Sequence, residues 1–129
     1  MDGLLNATLP FARDQLTKRG TFVPYGAIVR NDDGGIELLA AYSGEKGAMS
    51  KDLLEMLMDG VRAKVESIRA YALVAGALIE GQRDAIRIDI EHRDGHAIAV
   101  AQPYVKRRFR RSMDFGDLMA AEGVRRVWS

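Results

Sequence analysis

The sequence predicts an α+β domain in which helices pack on one mostly antiparallel, five-stranded sheet, in the order α-β-β-α-β-β-β-α. Three observations carry this. Ile86, Ile88 and Ile90 alternate with Arg87, Asp89 and Glu91 before a return run containing Ile98 and Val100, the period of a strand with one dry and one wet face. The cluster Asn31-Asp32-Asp33-Gly34-Gly35 separates two apolar runs and marks a turn. Leu54, Leu57, Val61, Val65 and Ile68 recur at spacings of 3, 4, 4 and 3, which draw one apolar stripe on a helix.

The elements follow in order. Asp2 to Arg19 reads as helical through Leu5, Leu9, Ala12 and Leu16. Pro10 is accommodated if Thr8 is the N-cap of the main helix and Pro10 lies in its first turn, and Gly20 supplies the stop. Phe22 to Arg30 and Ile36 to Tyr42 form a hairpin, with Pro24 at an edge, a bulge or a strand start. Ser43 to Gly47 is a loop, and Ser50 caps a helix running from Lys51 to about Ser67. Arg69 to Glu80 mixes helix-favouring alanines with Tyr71, Val74, Gly76 and Ile79. A helix from 51 to 80 would be unusually long and would hold two glycines, so a strand is expected, with Ala70, Ala72 and Gly76 letting a helix approach.

The second hairpin, Asp84 to Tyr104, has a register that the sequence decides. A two-residue Asp94-Gly95 turn would set Ile98 against Glu91. A three-residue Arg93-Asp94-Gly95 loop pairs Ile90 with Ile98 and Ile88 with Val100, and places Gly95 at the left-handed position of a G1 bulge. The second register keeps the large apolar side chains together. Phe115 to Glu122 is expected to form a short helix closed by Gly123, with Val124 to Trp128 packing back on the body.

With 129 residues, 47% of them hydrophobic, and no repeat or linker, the chain is expected to form one domain, residues 1–129, without cross-links. The absence of cysteine excludes disulfides, thiolate metal sites and cysteine nucleophiles, and fits a cytoplasmic location. No membrane association is expected: the best apolar run, Tyr71 to Ile79, has nine residues, against the ~20 that cross a bilayer. The net charge of +1 hides an asymmetry, since seven basic and three acidic residues from Lys106 to Ser129 make that segment +4 and leave −3 for residues 1–105.

Lys106, Arg107, Arg108, Arg110 and Arg111 surround Phe109. Such a run neutralises nucleic-acid phosphates while the ring stacks on a base, meets an acidic protein surface, or lies solvated with its stems on apolar surface. His92 and His96 oppose each other across the expected hairpin and would need Asp94 or another ligand to hold a metal, whereas Glu91 points to the other face. Gly44-Glu45-Lys46-Gly47 lacks phosphate-loop spacing. Asp89 and Glu91 share a face beside Arg87, as ordinary charge pairing would have them. No serine lies in a nucleophile elbow. No catalytic set, cofactor or metal is therefore expected.

The element order is similar to that of profilin-like proteins, in particular roadblock and longin modules. At the level of sequence, GTFVPYGAIVRNDDG (Gly20 to Gly34) and DAIRIDIEHRDGHAIAVAQPYVKR (Asp84 to Arg107) resemble two signatures of a family of small uncharacterised bacterial proteins, a domain of unknown function. The resemblance spans roughly residues 2–108, leaves the basic segment outside, and implies no functional residue. The reading is a non-enzymatic protein-interaction module acting as a homodimer; the alternative is nucleic-acid binding through residues 106–111.

Overall fold

The computed structural model describes residues 2–40, 50–79, 83–106 and 113–128. Helix α1 (Asp2–Arg19) leads into strands β1 (Tyr25–Arg30) and β2 (Ile36–Ala40). Helix α2 (Ser50–Ala63) and a short 3-10 turn (Val65–Ser67) follow, then β3 (Ile68–Ile79), β4 (Arg83–His92), β5 (Ala97–Lys106), β6 (Met113–Phe115) and β7 (Met119–Glu122). The strands form one seven-stranded antiparallel sheet of order β2-β1-β3-β4-β5-β6, with β7 also pairing with β5. The fold is α+β, as the sequence predicts, but with seven strands in place of five and no helix among the described residues after β5.

The register of the second hairpin is the expected one. Ile88 pairs with Val100 and Ile90 with Ile98. Gly95 takes φ +105°, and the Gly95 N–H donates to the His92 carbonyl at 3.0 Å. Residues 69–79 are strand: Ala70 and Ala72 are buried under α1. Gly76 differs: it is exposed, and a Cβ there would meet nothing within 4 Å, so no described helix packs closely on it.

Where the structure departs from expectation, tertiary packing explains it. Thr8 does not cap a helix. Helix α1 runs unbroken from Asp2 through Pro10, because Leu4 is buried with Leu9, Ala12 and Leu16 and draws the first turn onto the sheet. The Thr8 hydroxyl donates to the Leu4 carbonyl at 2.7 Å, and the Tyr25 hydroxyl donates to the Thr8 carbonyl. Helix α2 ends at Ala63, short of Ser67, and Ile68 already belongs to β3. Its buried residues are Leu53, Leu57, Met58 and Val61. Residues 115–122 are not a helix. The outer side of β5 offers unpaired backbone groups, and β6 and β7 occupy it in succession, so strand pairing overrides the helix propensity of Leu118 to Glu122. Gly123 is needed for close approach rather than for a cap: a Cβ there would stand 2.7 Å from the Ile98 nitrogen.

The two helices lie on opposite faces. One core gathers α1 with Ala70, Ala72, Val74, Ile86, Ile88, Ile90 and Val100; the other gathers α2 with Ile28, Ile68, Tyr71 and Leu73. Both sides of the sheet are therefore partly covered, which corrects the expectation of one dry and one wet face.

Candidate interaction surfaces

The second core holds an unexpected feature. Glu91 is 1% exposed. It stands directly opposite Tyr71 in the β3–β4 ladder. One carboxylate oxygen accepts hydrogen bonds from the Tyr71 hydroxyl at 2.7 Å and from the N–H groups of Arg126 at 3.0 Å and Val127 at 2.9 Å. The other accepts from the Trp128 N–H at 3.0 Å. Three consecutive backbone N–H groups turned toward one anion form a nest. Burial pushes the Glu91 carboxyl up, but the bonds from Tyr71 and residues 126–128 outweigh it and hold the group below its ordinary value of 4.5. Burial, together with donation to Glu91, raises the Tyr71 phenol, so it remains a neutral donor. The Trp128 ring lies 5.9 Å from that of Tyr71. Val127 and Trp128 thus pack on their own body, as expected, while Val124 stays exposed.

Nothing in the sequence set Glu91 apart from Asp89. The structure separates them: Asp89 pairs with Arg87 at 3.2 Å, while Glu91 leaves that arrangement for the interior.

At the hairpin tip His92 and His96 oppose each other, and the His92 N–H donates to the His96 carbonyl at 2.7 Å. Both Nδ1 atoms approach the same Asp94 oxygen, at 3.3 Å and 2.8 Å. Asp94 also accepts from the His96 N–H, the largest of the effects that lower its pKa. The three side chains brace the turn, and among the described residues no group of His, Cys, Asp or Glu is arranged to hold a metal ion. No described helix is long and apolar enough to cross a membrane.

Of the six residues in the basic run only Lys106 is described. It ends β5, exposed, with its ammonium beside Gly20. Residues 107–111, Phe109 included, and the 44–47 glycine loop lie outside the described residues, as does the side chain of Ser50, where α2 begins. Lys18, Arg19 and Arg83 line two adjoining hollows of about 300 and 350 Å³ that share Lys106. Lys18 is also paired with Asp14 at 3.2 Å.

The surface that sequence reasoning did not locate is the β2 margin. β2 is terminal in the sheet, with its outer side unpaired among the described residues. Ile36 is 40% exposed and Leu38 53%; nearby, Phe11 is 43% and Val23 67%. A hollow of about 440 Å³ opens here between Phe11, Val23, Tyr25, Leu38 and Ala40, and the Phe11 and Tyr25 rings meet edge to face at 4.9 Å. Edge strands are usually guarded by lysine, proline or a bulge. Ile36-Glu37-Leu38-Leu39-Ala40 has no such guard, and that absence was the legible signal. Its one charge, Glu37, pairs with Arg30 at 3.7 Å and Lys64 at 3.8 Å.

Comparison with protein-family models, with curated proteins and with solved structures returned no match.

Proposed function

We propose that the protein is a non-enzymatic interaction module that works as a homodimer. The observation that carries this reading is the β2 margin, unpaired among the described residues, with its apolar neighbours Phe11, Val23, Ile36 and Leu38. An open row of backbone donors and acceptors beside exposed apolar side chains favours strand addition, and a chain that offers such a margin offers it to its own copies. Light scattering across micromolar concentrations is the test. A mass of twice one chain supports the reading, and a single-chain mass throughout refutes it.

A second reading rests on Lys106. Lys106 stands beside Lys18, Arg19 and Arg83, with Asp84 the one acid among the described residues lining the same hollows, at one end of the sheet, and a net cationic surface there suits a nucleic-acid backbone.

A further inference from the structure

We infer that two copies join β2 to β2 about a twofold axis through Leu38, forming one continuous sheet; this rests on the homodimer reading. The argument starts from the hydrogen-bond ladder. The Arg30 N–H donates to the Gly35 carbonyl at 2.8 Å, and β1 and β2 continue from there with Ile28 opposite Glu37 and Gly26 opposite Leu39. Antiparallel pairs alternate between bonded and non-bonded. The backbone groups of Glu37 and Leu39 therefore turn toward β1, and those of Ile36, Leu38 and Ala40 turn outward.

Among the described residues, a second β2 can satisfy all of these outward groups in one register only. A twofold axis perpendicular to the sheet keeps like faces together, so paired positions have the same parity. Centring on Leu38 sets Leu38 against Leu38 and Ile36 against Ala40 on both sides. Shifting by two positions leaves one end unpaired. The centred register also suits the side chains. Ile36, Leu38 and Ala40 share the α1 face, where Ile36 lies within reach of Gly3 and where Leu38 and Ala40 line the 440 Å³ hollow. The Ile36 of each copy then comes opposite the other's Ala40, at the mouth of that hollow beside Val23 and Tyr25. On the other face each Glu37 meets a Leu39, so the two carboxylates are never opposed, and each keeps its own Arg30 and Lys64. Backbone, apolar surface and charge agree on the same arrangement.

The chain has no cysteine, so a single introduced thiol reports register cleanly. Residues facing each other in a bonded pair have Cα atoms about 5.5 Å apart, inside the range of about 4.4–6.8 Å that a disulfide spans. Leu38→Cys in the full chain is expected to give a covalent dimer under mild oxidation, while Met119→Cys on the opposite margin does not. Ile36→Glu is expected to weaken the dimer by about 100-fold, since both copies lose an anchor, with the melting temperature of the monomer unchanged. Leu38 and Ile36 are exposed, so neither change threatens folding, and circular dichroism verifies this. A dimer by light scattering that cross-links through Met119→Cys and not through Leu38→Cys overturns the register while leaving the homodimer reading intact. A dimer untouched by Ile36→Glu does the same. A monomer at all concentrations overturns both.

Discussion

Tyr71 and Glu91 face each other across β3 and β4, and the phenol donates to the carboxylate at 2.7 Å while the backbone of residues 126–128 closes over the same group. Two strands in the middle of the sheet thereby hold a segment 35 residues or more away in sequence. Removing the carboxylate leaves the buried Tyr71 hydroxyl and three part-buried backbone N–H groups without an acceptor. Glu91→Ala is expected to cost about 3–5 kcal/mol, the range for stripping one partner from a buried charged network, whereas Tyr71→Phe costs about 1–2 kcal/mol. Urea unfolding of the two variants and of the double variant measures this. The double variant should lose less than the sum, because both changes remove the same bond.

Acid should release the segment. The folded Glu91 pKa is held below 4.5, so its contribution is fully present above that value and is lost as pH falls through the lower folded value. The sole tryptophan, Trp128, reports the event. Its emission is expected to shift to the red below pH 4.5, while Glu91→Gln shows the shifted emission already at neutral pH. An emission maximum unmoved by acid until the whole protein unfolds would show that the carboxylate does not govern docking.

The apolar layer beneath α1 makes a third expectation. Ile88 is fully buried between Val74 and Val100. Ile88→Ala should cost about 2–5 kcal/mol, with the midpoint of a denaturant titration falling at unchanged slope. Arg87→Ala, on the exposed neighbour of the same strand, should cost less than about 1 kcal/mol.

Gly95 adopts φ +105°, which a side chain resists. Gly95→Ala is expected to destabilise by about 1–3 kcal/mol, read as a lowered melting temperature, without shifting the Ile90–Ile98 register. Nuclear Overhauser contacts between those two residues check the register.

The basic run gives the last expectation. If residues 106–111 bind nucleic acid, the logarithm of the affinity for a single-stranded oligonucleotide falls linearly with the logarithm of salt, and replacing Arg107, Arg108, Arg110 and Arg111 by alanine abolishes most of the binding. Salt-independent binding ends this reading.

The sequence was most legible where a local pattern admitted one solution. Only a three-residue loop kept Ile88 and Ile90 beside Val100 and Ile98, so the second hairpin could be read to the residue. Tyr71, Val74 and Ile79 likewise outweighed the alanines of β3. It was least legible where a distant element decided. Leu118-Met119-Ala120-Ala121-Glu122 favours a helix by itself, yet the vacant side of β5 takes it as β7. Pro10 by itself favours a fresh helix start, yet Leu4 anchors a turn before it. Glu91 followed the same alternation as Arg87 and Asp89, and only the fold-back of residues 126–128 puts it indoors. The β2 margin was visible as unguarded residues, but its place at the end of the sheet was not.

The two rims of the sheet are unlike. β2 is a single run of five residues, whereas the far rim is divided between β6 and β7, three and four residues long, with Gly116–Leu118 interrupting them. A broken rim is a poor template for further strands. On the proposed β2-to-β2 pairing, growth by joining rims would stop once two copies had met, which would separate a finite assembly from a fibre without any need for a capping partner.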